Sequence, residues 1–195
     1  MLTPTTAGKL HWNYFLALER DLEVISRFVE LSTANEAVYS IELARLLFGA
    51  ASEVDVVAKL VCAQVAPAAR CGNIEDYRSI LSEAIPDLPQ TEVFVPRYGF
   101  SFKPWDNWTD GRSPDWWRAY NKVKHERDSN YHQATLKHAL NSLGGLLLLC
   151  FHYYARALKP ADAAFLSPKE ATRQLLPEST LLRLHDSWYY SRLLV

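Results

Sequence analysis

Residues 36 to 64 place apolar side chains around most of a helical wheel rather than along one stripe. These side chains are Val38, Ile41, Leu43, Leu46, Leu47, Phe48, Val54, Val56, Val57 and Leu60. A helix that is apolar on most sides has to be surrounded by other elements. The segment therefore predicts a central helix. This helix begins at a capping box, Thr33-Ala34-Asn35-Glu36, and reaches about Gln64, since Pro67 stops it.

Four further segments carry helical signals and can surround the central helix. Residues 10 to 31 show one apolar stripe, and Asn73 caps a shorter amphipathic segment that reaches about Ala84. Ser113-Pro114-Asp115 is a strong helix start, and its helix should reach about Asp128. Residues 132 to 158 are typical of a last long helix, since Pro160 follows them.

Between these helices, residues 91 to 112 change in character. Apolar residues 93 to 95 and 100 to 102 flank the turn-forming Pro96-Arg97-Tyr98-Gly99, which indicates a small hairpin or an ordered loop. We therefore expect an all-α bundle of four or five helices with an irregular, aromatic-rich insertion or small hairpin. Residues 1–195 should form a single domain, in which residues 161–195 are a less regular C-terminal extension.

Composition limits the class of protein. Of the 195 residues, 49% are hydrophobic and 22% are charged, which is close to average globular usage and argues against disorder and against a membrane protein. The longest apolar stretch, Leu143 to Phe151, is shorter than the roughly 20 residues that a membrane span needs. The N-terminus lacks the pattern of a secretion signal, so we expect a cytoplasmic protein. Cys62, Cys71 and Cys150 lack zinc-site spacing and are expected to be reduced.

Charge is unevenly distributed along a chain whose net charge is only −1. Residues 1 to 96 carry seven basic and thirteen acidic side chains, whereas residues 97 to 140 carry eight basic and five acidic ones. An anion-binding site should therefore lie in the second region.

The run from Asp115 to Asp128 has the highest density of functional side chains in that region. Its sequence is Asp-Trp-Trp-Arg-Ala-Tyr-Asn-Lys-Val-Lys-His-Glu-Arg-Asp. On a helix, Arg118, Asn121 and His125 would share one face, with Lys122 beside them. A histidine can transfer a proton to or from a hydroxyl, and a guanidinium can stabilise charge that develops on a phosphate. Metal-independent RNA cleavage needs both groups.

The order of the helices and the run Trp-Trp-Arg-Ala-Tyr-Asn-Lys-Val-Lys-His-Glu-Arg before the last long helix resemble HEPN-domain proteins. These are helical bundles whose signature is an Arg separated from a His by four to six residues, often with Asn directly after the Arg. Many members are ribonucleases of toxin-antitoxin, phage-defence or RNA-processing systems, and dimerisation places two motifs around one cleft. The resemblance covers residues 10 to 158 as a pattern and residues 116 to 127 as a motif.

The resemblance implies an endoribonuclease of a prokaryotic stress or defence system, which acts as a homodimer on RNA without a cofactor. His125 would transfer the proton, Asn121 would orient His125 or the substrate, and Arg118 would stabilise the negative charge on the phosphate. Arg118 fits only the longest spacing, since Tyr120 stands directly before Asn121. That departure leaves a second hypothesis open, namely a catalytically inactive HEPN-like module that binds a partner protein, such as an antitoxin, or a nucleotide.

Several neighbouring side chains have two interpretations. Lys122, Lys124 and Arg127 either contact RNA phosphates or form a solvated face. Tyr120 and the tryptophans at positions 105, 108, 116 and 117 either stack on bases or pin a loop onto the bundle, and packing is the commoner role. Tyr120 and Glu53 are expected to contact the reactive residues and hold them in position, without contacting the substrate themselves. Glu53 lies in an otherwise apolar helix and needs a partner, for which His125, Lys124 or Arg127 are the candidates.

A metal site is the other specific hypothesis for the function of this region. His125, Asp128 and His132 have helical spacing and His138 follows, but residues 128 to 131 are expected to break the helix between them. We therefore predict no metal. The sequence contains no phosphate-binding loop, dinucleotide-binding glycine pattern or nucleophile elbow.

Overall fold

A computed structural model describes residues 8 to 189 of the chain. They form α1 (Leu10–Ile25), α2 (Ile41–Val65), α3 (Ile74–Ala84), β1 (Val93–Val95), β2 (Phe100–Phe102), α4 (Asp115–His125), α5 (Arg127–Asn130), α6 (Leu136–Ala157) and α7 (Pro168–Gln174). The two strands pair as an antiparallel hairpin. The predicted all-α bundle with a small hairpin is confirmed.

The two longest helices, α2 and α6, form the centre of the bundle and pack extensively against each other. Helix α1 contacts both, α3 packs on α2, α4 packs on α2 and α6, and α7 packs on α6. Every residue of α6 from Leu143 to Phe151 is buried, as its apolar sequence requires. The prediction that α2 is central is correct, and α6 shares that position.

Helix α2 begins later than its sequence pattern suggests. Thr33–Asn35 form a short 3-10 turn without a side-chain cap, and Ser40 is the residue whose hydroxyl accepts the Leu43 N–H at the start of α2. The predicted capping box at Thr33 is therefore wrong. The carbonyls of Glu36 and Val38 instead accept the first N–H groups of α6, which holds this loop against the start of that helix.

Two other helices are shorter than predicted, and one agrees with its prediction. Helix α1 ends at Ile25 rather than at residue 31, and α6 begins at Leu136, where the Thr135 hydroxyl caps it. The Asn73 side chain caps α3 as expected, because it accepts the N–H groups of residues 75 and 76.

The aromatic insertion packs onto a flat part of α6. Gly99 closes the hairpin with a φ of 71°, a left-handed conformation that suits glycine. A Cβ atom on Gly144 would lie 2.6 Å from the Phe102 ring, and one on Gly145 would lie 3.3 Å from the rings of Trp105 and Trp116. The two glycines therefore allow the insertion to approach the helix, and the packing interpretation of these tryptophans is correct because they are buried.

The C-terminal segment, residues 161 to 189, folds back onto the bundle. A capping box of Ser167 and Glu170 begins α7, and Leu175, Leu181, Leu182 and Leu184 are buried. The buried Glu19 carboxylate of α1 accepts the Ser179 hydroxyl and the N–H groups of residues 180 to 182. A single acid of the first helix thus fixes the end of the described chain.

Candidate functional site

Helix α4 has one buried side and one side that faces solvent. Trp116, Trp117, Ala119, Tyr120 and Val123 are buried against the bundle. The opposite side carries the polar residues of the motif. The sequence pattern therefore folds as an amphipathic helix, and the polar residues are the ones left accessible.

The insertion fixes the beginning of α4. The Asn107 side chain accepts the Asp115 N–H at 3.0 Å, and the Trp116 Nε1 donates to the Pro104 carbonyl at 2.8 Å. Ser113, the first residue of the predicted helix start, does not cap the helix and donates its hydroxyl to Glu75 of α3 at 2.7 Å. The helix starts where predicted, but the residue that satisfies its first N–H comes from the preceding loop.

The structure brings Arg118, Asn121 and His125 onto one face of α4, and we call these three residues the candidate row. Arg118 and His125 are exposed and Asn121 is half-buried. The Arg118 guanidinium forms an ion pair with Asp115 one turn earlier. Among residues 8 to 189, neither Asn121 nor His125 has a hydrogen-bond partner, so both side chains are available to a ligand.

The exposed cations of α4 and of the start of α5 are Arg118, Lys122, Lys124 and Arg127, and we call these four residues the basic face. The Lys124 Nζ lies 5.3 Å from the centre of the Tyr120 ring, and the Arg127 Cζ lies 5.0 Å from that of Phe48. The two rings contact each other edge-to-face at 5.7 Å, so Tyr120 supports the basic face from beneath.

The chain changes direction directly after the candidate row. Helix α4 ends at His125 rather than at residue 128, because Glu126 adopts a non-helical conformation with φ −138° and ψ 57°. Asp128 then lies on α5 and His132 on a 3-10 turn. Their helical spacing with His125 is thereby lost. Within residues 8 to 189, no three His, Cys, Asp or Glu side chains are grouped as metal ligands would be.

A second histidine, His138 of α6, lies near the start of the candidate row. Burial lowers its pKa below the ordinary value, and Arg118 acts in the same direction, whereas the Gln133 carbonyl and the Asp115 charge oppose the shift. Its Nδ1 lies 2.7 Å from the Gln133 carbonyl, so Nδ1 carries the proton and Nε2 keeps its lone pair. Sequence reasoning considered His138 only as a metal ligand and missed this position, which depends on how α6 packs against α4.

Glu53 lies away from the candidate row. Its carboxylate is 2.5 Å from the Nδ1 of His11 on α1, and both side chains are largely buried. The prediction that His125, Lys124 or Arg127 pairs with Glu53 is wrong, because the side of α2 that carries Glu53 faces α1 rather than α4. Glu53 therefore belongs to the packing between the first two helices.

We compared the chain with known protein families, curated proteins and solved structures. No protein-family model, no curated protein and no solved structure is significantly similar to the chain. The resemblance to HEPN domains therefore rests on the motif and on its place in the bundle. None of the helices between residues 8 and 189 is both long and apolar enough to pass through a bilayer.

Proposed function

We propose that the chain is a HEPN-like, metal-independent endoribonuclease that acts in the cytoplasm of a prokaryote, in a stress or defence system. One observation carries the proposal. His125 is exposed and has no hydrogen-bond partner among residues 8 to 189, and it lies on the same helix face as Arg118 and Asn121. The basic face next to this row would attract the RNA backbone.

The reaction would use the ribose 2′-hydroxyl as the nucleophile. A base takes the 2′-hydroxyl proton, the oxygen attacks the neighbouring phosphorus, and an acid gives a proton to the departing 5′-oxygen. The products are a 2′,3′-cyclic phosphate and a 5′-hydroxyl. His125 would serve in one of the two proton transfers, and the neutral His138 is a candidate for the base.

Arg118 would have to exchange Asp115 for a phosphate. Both side chains of this ion pair are about half exposed, at 55% and 49%. Exposed pairs contribute about 0–1 kcal/mol, so the pair is a weak competitor. A phosphate can form a bidentate, charge-assisted contact with the guanidinium. This contact is at least as strong as the one that Asp115 makes at the surface. The ion pair is therefore compatible with an Arg118 that binds substrate.

The candidate row lies on the solvent-exposed face of α4, so a single chain forms only one wall of a binding site there. A homodimer that brings two rows together would create a cleft, and we propose this arrangement by the HEPN resemblance. Light scattering during size-exclusion chromatography would test it. A monomer at all concentrations that still cleaves RNA would exclude the shared cleft and leave the chemistry intact.

The decisive assay incubates the purified protein with mixed RNA in EDTA. We expect the wild-type chain to cleave and His125→Ala to lose at least about 100-fold in rate, as the removal of a general acid or base does. His132→Ala is the matched control, since His132 is exposed and lies outside the candidate row. Equal loss in both variants, or cleavage unchanged in His125→Ala, would refute the assignment.

A second candidate function is a catalytically inactive HEPN-like module that binds a partner protein, such as an antitoxin, or a nucleotide. The observation that favours it is Tyr120, which takes the place before Asn121 where the commonest HEPN motif has its Arg. Tyr120 is 8% exposed and packed between Phe48 and Trp117. This hypothesis predicts that neither the wild-type chain nor His125→Ala cleaves RNA. It also predicts a stable complex of the chain with its partner protein or nucleotide, which Lys124→Glu weakens.

A further inference from the structure

A cavity of about 270 Å³ lies at the opposite end of α6 from the candidate row. The end of α3, the last turns of α6 and the C-terminal segment line it, and it is partly open to solvent. Its walls are mostly apolar and include Ile85, Phe151, Phe165, Leu166 and Trp188. Because α6 rises about 1.5 Å per residue, His138 and His152 are about 21 Å apart along the helix, and the two sites are separate.

One polar atom in this wall has no partner. His152 lines the cavity, and its Nε2 is buried without a hydrogen bond to any residue between 8 and 189. Burial, together with the nearby Arg156 charge, lowers the His152 pKa to about 3, so the ring is neutral at physiological pH. Buried polar atoms are nearly always hydrogen-bonded in folded proteins. The buried Nε2 has no room beside it for a ligand oxygen, so His152 contributes a neutral ring to the wall.

A guanidinium lies one turn further along the same wall. The Arg156 Nη1 donates to the His152 carbonyl at 3.1 Å, and its Cζ lies 5.7 Å from the centre of the Phe165 ring. Burial lowers the pKa of Arg156, yet no carboxylate between residues 8 and 189 pairs with it. A guanidinium that lies over a ring keeps in-plane N–H groups free, and these suit a carboxylate.

We propose that this cavity binds a small organic carboxylate with an aromatic body. The carboxylate would accept from Arg156, and the ring would pack against the rings of Phe151, Phe165 and Trp188. The volume of about 270 Å³ is close to the roughly 300 Å³ at which ligand pockets begin, which suits a small ligand. Asp87 lies at the rim, where its carboxylate is exposed and solvent screens its repulsion.

The test uses benzoate as the probe and the full chain as the protein. Isothermal titration calorimetry should show one benzoate site with a Kd on the order of 1 mM, a normal value for a ligand of this size. Benzyl alcohol lacks the charge and acetate lacks the ring, so both should bind at least about tenfold more weakly. Equal affinity for benzoate and benzyl alcohol, or no benzoate binding, would overturn the proposal.

Variants locate the site. Arg156→Gln should weaken benzoate binding by about tenfold or more, because a hydrogen bond to a charged group is lost. Arg156→Lys keeps the charge and should retain part of the affinity, which guards against loss of fold. Arg173→Gln is the control, since Arg173 is exposed on α7 and does not line the cavity. Equal weakening by Arg173→Gln would place benzoate elsewhere. Since none of these measurements involves RNA, the outcome is independent of the proposed ribonuclease.

Discussion

Mild acid should destabilise this protein through His152. Burial and the Arg156 charge lower the His152 pKa to about 3 in the folded chain, whereas an unfolded histidine titrates near 6.5. As the pH falls below about 6.5, the unfolded chain binds a proton that the folded chain does not accept. The stability that the neutral ring provides is therefore complete above about pH 6.5 and is lost progressively between about pH 6.5 and pH 3.

The size of the effect follows from the two pKa values. Between about pH 7.5 and pH 5, the unfolded imidazole gains nearly a full proton while the folded ring stays neutral. Each pH unit below the unfolded pKa removes about 1.4 kcal/mol, so His152 alone should lower the free energy of unfolding by about 2 kcal/mol. His138 acts in the same direction, since burial lowers its pKa as well.

Urea unfolding at the two pH values measures this loss, and His152→Phe isolates the residue. Phenylalanine keeps a planar ring and does not titrate, so the variant should lose about 2 kcal/mol less than the wild-type chain on acidification. His132→Phe is the matched control, because His132 is exposed. An identical pH dependence in the wild-type chain and in His152→Phe would show that the ring is accessible to protons and would refute the reasoning.

Further consequences concern the frame and the basic face. Glu19→Gln should destabilise the chain by about 1–3 kcal/mol and speed proteolysis near residues 179 to 182, since a charged acceptor of buried N–H groups is lost. Gly144→Ala should lower the free energy of unfolding by about 1–3 kcal/mol in a urea titration, because its Cβ would overlap the Phe102 ring. Asn73→Ala should cost about 1 kcal/mol in the same titration, since a cap is lost. If RNA binds the basic face, the logarithm of its affinity should fall with the logarithm of salt concentration with a slope of about −3 or shallower, as four cations allow. A steeper slope in filter binding would require cations outside this face.

Local signals in the sequence were sufficient where the partner of each group lies nearby in the chain. Asn73 caps α3 from two residues away, and Pro96 to Gly99 turn the hairpin within four residues. The Thr33 capping box failed because a distant element decides that region. The carbonyls of Glu36 and Val38 serve the first N–H groups of α6, about a hundred residues later, and no local pattern reveals that pairing.

The candidate site divides in the same way. The face shared by Arg118, Asn121 and His125 follows from helical spacing alone, so the sequence was enough to find it. The partner of Glu53 and the place of His138 depend on which helix packs against which face, and the sequence alone does not determine this. His152 gave no signal at all, because a histidine within an apolar helix resembles any other core residue until its unpartnered nitrogen is seen beside a cavity.

The aromatic insertion explains why a short helix can carry a precise row of side chains. An isolated helix of 11 residues is marginal in water, so α4 depends on tertiary contacts for its position. Besides its packing on α2 and α6, α4 is held by the insertion through the Asn107 cap, the Trp116 hydrogen bond to Pro104 and the fit of Trp105 and Trp116 against Gly145. The same tryptophans are buried and so are not available to stack on bases. An RNA on this face would therefore be held mainly by its phosphates, and the choice of RNA would depend on shape and on a second surface more than on base identity.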